Sequence, residues 1–538
     1  MQDSYDVVVL GSGAAGLTAA LSAACAGASV AVLEKAELIG GTTALSGAGI
    51  WVPANKYQAD AGVDDSIENG VTYLMSLSNG LIAPEVAEEL ISRGPELIEF
   101  LERETRLRMH LVVGYPDYHT ENPGGLPGGG RTLEPGLFSF ARIPEWVDRI
   151  VGDVRRVTLA EMPLGGGTGA IPDAEFARRA ERQEEGLGRA LIGGLLEAVI
   201  DRGVEVFASA RGIRLRLDDG AVTGVELETA AGPRTVAGRA VIIATGGFEY
   251  DEEFVRAFLR GPLTRPIGVP TNTGDGLRMS MRIGAALGNM REAWWSPAIA
   301  VPSPRRDGGE NGLLVARERA LPGSIIVNSA GKRFANEAAN YNAFGGAFHH
   351  LDESRLTYPN LPAYLIFSQS TVDRFGVLGM APGTPVPDWY PRADTIEGVA
   401  ELTGIDREGL LATVQRFNEH AAQGVDPDFS RGQSAYDRFP GGRMLDPDSP
   451  FSTLGPLEDG PFYVTELYSS ALGTKGGPKT DLQGRVVDVD GQVIPGLYAA
   501  GNAAASMSGM VYGGAGGTLV VAGVMGMNAG RTAATDEL

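Results

Sequence analysis

Cysteine is almost missing from this chain: Cys25 is the one cysteine in 538 residues. That excludes an internal disulfide, a cysteine-ligated iron–sulfur cluster and a C-x-x-C-H haem attachment. Cys25 lies inside the first helical segment and is expected to be a small buried core residue. Histidine is scarce too, with five residues, and no metal site is expected. Positive charge is in deficit, 45 Lys and Arg against 67 Asp and Glu, for a net −22. Such a balance argues against nucleic acid or an anionic membrane surface as the main partner and reads as solubility. Long apolar runs are lacking as well. Nothing approaches about 20 unbroken apolar residues, and the apolar tail Thr518 to Met527 is short, glycine-interrupted and expected to be a core helix. The first strand pattern begins at residue 6, leaving no room for a signal peptide. A cytoplasmic protein without an integral membrane segment is expected.

Glycine is plentiful: 76 residues, about twice the usual ~7% share, clustered in loops between apolar strands. The first cluster is the most telling. The chain opens YDVVVLGSGAAGLTAALSAACAGASVAVLEK, Tyr5 to Lys35. An apolar strand meets Gly11, Gly13 and Gly16 in G-x-G-x-x-G at the entrance to an Ala-rich helix, and a second strand ends at Glu34. Gly11 permits the tight turn, Gly13 lets a pyrophosphate approach the backbone, and Gly16 lets helix and strand pack closely. The helix N-terminus offers free N–H groups to phosphate, and Glu34 can accept hydrogen bonds from a ribose. With no cysteine for metal clusters, redox chemistry here needs an organic dinucleotide, with electrons leaving to an external acceptor.

Beyond this unit come IGGTTALSGAGIWVP (39–53), helical patterns at about 84–104, a Gly/Pro-rich stretch from Gly114 to about Gly169, and helix again at 174–202. VIIATGGFE (241–249) reads as a buried strand meeting a glycine turn. From roughly 290 to 460 proline-rich loops, aromatics and helices such as 406–422 take over. Strand and glycine-loop character resumes near 463. The pattern predicts an α/β chain: a discontinuous Rossmann-like dinucleotide domain, 1–289 and 463–538, with an inserted α+β substrate domain, 290–462.

These segments together resemble the flavoprotein family of fumarate reductases and 3-ketosteroid dehydrogenases. GSGAAG with Glu34, GGTTALSGAG, ATGGFE, NTGDG (272–276) and GLYAAGN (496–502) fit it in order. PDYHTENPGG (116–125), GKRFANEAANYNAF (331–344), LGTKGGP (472–478) and YGGAGGTL (512–519) are most similar to the 3-ketosteroid Δ1-dehydrogenase branch. The fumarate reductase branch carries a histidine in H-T-x-G-G; the corresponding stretch here, Gly473 to Gly477, has none. Covalent-flavin relatives carry a histidine near Thr42, and none stands there, so FAD is expected to be non-covalent.

The resemblance implies an FAD-dependent 1,2-desaturation of 3-ketosteroids, with an external acceptor such as a quinone. Tyr512 and the Gly516 amide would bind the 3-keto oxygen, Tyr341 would take the proton from carbon 2, and Tyr118 would assist. Alternatives are desaturation at another ring position or of another cyclic ketone, an ene-reductase acting on small acids, and a flavin-carrying electron-transfer subunit. The expected FAD contacts are Gly11, Ser12, Gly13, Ala14, Ala15 and Gly16; Glu34 and Lys35; Gly41, Thr42, Thr43, Ser46, Gly47, Ala48 and Gly49; Val206; Ala244, Thr245 and Gly246; Asp275; Gly501 and Asn502; and Gly517, Thr518, Leu519 and Val520. Each tyrosine taken alone, one of 15, reads equally as packing. Tyrosine titrates near ~10, so a tyrosine base implies activity rising toward alkaline pH. Asn340 and Gly513 replace prolines common in the family, which implies looser loops around Tyr341 and Tyr512. Lys475 reads as a solvated or loop-pinning lysine, Trp294 and Trp295 as packing between domains, and His119 as a neighbour able to enter the site.

Overall fold

A computed structural model describes residues 1–303, 305, 307, 311–439 and 445–536. The strands that frame the site are β1 (Ser4–Leu10), β2 (Val30–Leu33), β3 (Glu205–Phe207), β4 (Gly232–Ile243), β5 (Ala293–Ala300), β6 (Ser324–Asn328), β7 (Ala363–Ser368), β8 (Phe462–Thr474) and β9 (Val493–Ala499). The helices that matter most are α1 (Ala14–Cys25), α2 (Gly41–Leu45), α3 (Leu187–Asp201), α4 (Asp275–Arg282), α5 (Tyr341–Ala347) and α6 (Gly517–Thr535).

Parallel pairing sets β9, β4, β1, β2 and β3 side by side in that order. Leu10 lies opposite both Leu33 and Ile243, so the turns leaving β1, β2 and β4 open at one edge. The three central strands read as continuous apolar runs because both sheet faces are covered; Val7, Val8 and Val9 are fully buried. On one face α1 crosses α6 at backbone contact. A Cβ on Gly526 would stand 2.5 Å from the Ala15 carbonyl, and one on Gly530 would stand 2.1 Å from that of Ala19. The apolar tail is thus a core helix, and the architecture is the α/β Rossmann-like one expected.

A second sheet, antiparallel in the order β5, β8, β7, β6, carries its own apolar clusters. β8 begins at 462 and pairs with β5 and β7 along its length. We therefore propose that the chain re-enters the first unit after Thr474 and not at 463. The helical pattern at 84–104 forms a helix over Pro84–Glu104, and that at 406–422 one over Arg407–Ala421. The stretch 174–202 splits into a helix over Asp173–Glu181 and α3. Among the described residues no helix is long and apolar enough to cross a membrane.

Cys25 corrects its expectation. It is exposed, because the buried run of α1 ends at Ala23 and the chain then turns outward at Gly27.

Candidate active site

The first glycine turn is built by contact. Gly11 has φ +109°, and a Cβ there would stand 2.3 Å from the Ala244 carbonyl. A Cβ on Gly16 would meet the Gly11 carbonyl at 2.0 Å. Gly13 is different: the nearest atom to its would-be Cβ, Thr43 Oγ1, is 3.7 Å away. It caps α1 with no side-chain hydrogen bond, so the first-turn amides from Ala15 onward are the ones left for phosphate. Glu34, at the end of β2, accepts from the Ser12 amide at 3.1 Å and the Ser12 hydroxyl at 2.8 Å. Lys35 donates to Asp275, at the start of α4, at 2.8 Å.

The other expected contacts border the same edge. Gly41, Thr42 and Thr43 open α2, and the Thr43 hydroxyl accepts from the Ala14 amide at 3.1 Å. Ser46, Gly47, Ala48 and Gly49 follow α2. Val206 sits in β3. Ala244, Thr245 and Gly246 leave β4, and the buried Thr245 hydroxyl has no hydrogen-bond partner among the described residues. Gly501 and Asn502 follow β9. Gly517, Thr518, Leu519 and Val520 form the first turn of α6, capped by Gly516 at φ +102°. Two glycine-capped helix N-termini, an orphaned hydroxyl and a carboxylate at a strand end fit a dinucleotide's phosphates and ribose.

The three sequence-predicted tyrosines come from distant segments and meet. Tyr341, first residue of α5, donates to the Tyr512 hydroxyl at 2.7 Å. The Tyr118 ring lies 5.4 Å from that of Tyr341 and 5.1 Å from that of Tyr512. All three are buried. Burial, then the neighbouring tyrosines, pushes the Tyr118 and Tyr341 hydroxyls well above their usual pKa, while Tyr118 itself pulls Tyr341 back down. Burial also raises Tyr512, countered first by the hydrogen bond from Tyr341; the buried Tyr118 hydroxyl has no hydrogen-bond partner among the described residues. The Gly516 backbone lies near enough to the Tyr512 hydroxyl to act on it. A Cβ at Gly516 would stand 2.3 Å from the Gly49 carbonyl carbon, which fixes that amide in place.

Several residues of the site had no signal in the sequence. Tyr436 packs edge-on to Tyr118 at 5.1 Å, and its hydroxyl is raised to about 12, chiefly by burial. Behind Tyr118 the buried Arg131 binds Asp117 at 2.7 Å and Asp65 at 2.6 Å. Asp117 also accepts from Trp51 Nε1 at 2.7 Å. Burial lifts Asp117 to about 6, while Arg131 holds Asp65 down at about 2 against its own burial.

Asn340 and Gly513, where proline is common in the family, are both hydrogen-bonded. The Asn340 side chain caps α5, accepting from the Ala343 amide at 2.9 Å, and its amide nitrogen lies 3.2 Å from His119 Nε2. The Gly513 carbonyl accepts from the Tyr118 amide at 2.9 Å and the Tyr73 hydroxyl at 2.7 Å. The Asn340 side chain thus supplies contacts that proline lacks, whereas Gly513 is held through its main-chain carbonyl, which any residue would offer. Trp294 packs edge-on to Tyr512; Trp295 packs against His349 on the opposite face of β5. Lys475 is fully buried, not solvated, and donates to the Val511 carbonyl at 2.8 Å.

Known proteins agree with this geometry. The FAD binding domain family matches residues 6–519. A 4-oxocyclohexanecarboxylate 2-dehydrogenase of Sinomonas cyclohexanicum is 44% identical, over 99% of this chain and 93% of that protein. A 3-oxosteroid 1-dehydrogenase of Mycobacterium tuberculosis is 38% identical, over 96% and 95%. The crystal structure of 3-ketosteroid delta1-dehydrogenase from Sterolibacterium denitrificans, in complex with 1,4-androstadiene-3,17-dione, superposes with a TM-score of 0.88 at 32% identity, covering 99% of this chain and all of that one. With the paired glycine cradles and these relatives together, the chain belongs to the FAD binding domain family and takes FAD as its cofactor.

Proposed function

We propose that this protein desaturates a cyclic ketone next to its carbonyl, with a 3-ketosteroid as substrate and carbons 1 and 2 as the bond oxidised. The observation that carries this reading is the Tyr341–Tyr512 hydroxyl pair at 2.7 Å, with the Gly516 backbone close by. Tyr512 and the Gly516 amide hold the ketone oxygen as it gains negative charge, the arrangement that lowers such barriers most. Tyr341 takes the proton from carbon 2. Its own donation to Tyr512 favours the neutral form, so Tyr118 is needed to stabilise its phenolate. The residues at the strand ends would hold FAD without a covalent bond, and bound there it would supply the acceptor for the hydride leaving carbon 1, with an external acceptor such as a quinone as the electrons' destination. Carbon 2 has then lost a proton and carbon 1 a hydride, which balances the new double bond.

The 44% identical relative motivates a second reading, a monocyclic oxo-acid substrate. The local charges favour the neutral steroid. A buried carboxylate needs a free cation, yet Lys475 is turned to a carbonyl and to Trp294. Arg319, close to Tyr436, is bonded to the Val315 and Glu337 carbonyls. Mixing the FAD-loaded protein anaerobically with 4-androstene-3,17-dione tests the proposal. Flavin bleaching with formation of the 1,4-diene supports the steroid; bleaching with 4-oxocyclohexanecarboxylate alone selects the oxo-acid. A flavin that stays oxidised with both ends the desaturase reading.

A further inference from the structure

Lys475 is the one lysine buried in the interior among the described residues, and it has no salt bridge there. The buried Glu292 carboxylate acts on it from beyond ion-pair distance, opposed by Arg260; burying an amine without a direct carboxylate partner is costly, and an apolar side chain of the same length avoids that cost. The nitrogen's surroundings account for its presence. It donates to the Val511 carbonyl at 2.8 Å, one residue before Tyr512. It also lies 3.7 Å from the centre of the Trp294 ring, packed on that ring's face, while burial lowers the amine's pKa well below that of an ordinary lysine. Trp294 in turn stands edge-on to Tyr512, ring centres 4.9 Å apart, and its Nε1 donates to Asn502 at 2.9 Å. Lys475 is itself fixed through its main chain: its amide donates to the Glu292 carbonyl at 2.9 Å, and its carbonyl accepts from the Ser506 amide at 3.0 Å.

We propose that Lys475 is the positioning residue for Tyr512, holding it by the main chain on one side and through Trp294 on the other, so that its hydroxyl meets the ketone oxygen. This rests on the ketone-desaturase reading. Lys475 touches neither substrate nor the reacting atoms. It sets where the Tyr512 oxygen stands relative to Tyr341 and the Gly516 amide, and a displacement of about 1 Å there is worth roughly 100-fold in rate.

The test uses the FAD-loaded full chain with 4-androstene-3,17-dione. Lys475→Met fills the same space without donor or charge, and Lys475→Gln keeps an N–H donor. For Lys475→Met, kcat is expected to fall about 100-fold while KM moves less than about threefold, because the interaction lost is one made in the transition state. Flavin content and Tm should stay near those of the parent protein. Lys475→Gln should regain about tenfold of the lost kcat, a recovery that packing alone does not produce. An unchanged kcat in Lys475→Met overturns the proposal. So does a loss of kcat tracking loss of flavin or Tm equally in both variants. If Lys475→Met does not fold, Lys475→Gln is still expected to turn over about a tenth as fast as the parent protein, and a Gln variant that folds but turns over at most a hundredth as fast overturns it. A parent protein inactive toward both 4-androstene-3,17-dione and 4-oxocyclohexanecarboxylate instead defeats the functional reading itself.

Discussion

The chemistry at the residue scale turns on how a buried tyrosine becomes a base. The Tyr341 hydroxyl sits well above its ordinary pKa, mainly through desolvation, so it stays protonated across the neutral range. Only the small ionised fraction removes a proton, and that fraction grows about tenfold for each pH unit. kcat/KM is therefore expected to rise with pH from about 7 to about 9 without a plateau. Tyr118 acts in the other direction, lowering Tyr341. Removing its hydroxyl in Tyr118→Phe raises the Tyr341 pKa, shifts the profile to higher pH and slows the reaction most at neutral pH. A profile that keeps its position in Tyr118→Phe would leave Tyr118 as packing. In the proposed reaction Tyr512 plays a separate part, as donor to the developing oxyanion. Tyr512→Phe should lower kcat by about 10²- to 10³-fold while flavin absorbance remains that of the parent protein. Unchanged turnover in that variant would sink the mechanism.

At the scale of elements, what was legible follows sequence distance. The β1–α1–β2 turn is local: Gly11, Gly16 and Glu34 lie within one supersecondary unit, so their spacing already encodes the contacts found. Tyr512 and Gly516 are local too, four residues apart at the mouth of α6. Tyr436 was illegible because nothing in its own segment distinguishes it; its role arises from packing on Tyr118, more than 300 residues away in the chain. Cys25 misled because an alanine-rich helix shows no polar stripe to mark where its buried face stops. The Arg131 cluster was likewise hidden, since Asp65, Asp117 and Arg131 stand in three separate loops and strands. That cluster holds the segment leading into Tyr118, and it is buried on all sides. Arg131→Met leaves two carboxylates buried without their cation, which costs about 3–5 kcal/mol. Thermal unfolding should show a markedly lower Tm, and adding Asp65→Asn and Asp117→Asn to Arg131→Met should recover part of it. A single variant as stable as the parent protein would mean the cluster carries no net stabilisation.

Across the whole molecule, segments near the two ends of the chain would build the proposed cofactor site together. The β1–α1 turn provides one glycine-capped helix start and α6 the other, and the two helices touch backbone to backbone at Gly526 and Gly530. A ligand bound at both starts therefore couples the N-terminal and C-terminal segments, and its binding free energy adds to folding stability. For one site that gain is about 2.7 kcal/mol when free ligand is 100 times its Kd. Tm of flavin-stripped protein should climb steadily with FAD concentration. Riboflavin, which lacks the pyrophosphate that the α1 amides would hold, should produce little or no rise. Because the residue at 42 is threonine and its hydroxyl accepts from the Val269 amide at 3.1 Å, it offers no imidazole for a flavin linkage. Acid precipitation of the loaded protein should then leave the yellow colour in the supernatant. Colour that stays with the pellet would overturn the non-covalent assignment, and an equal Tm rise with riboflavin would show that the α1 cradle does not hold the phosphates.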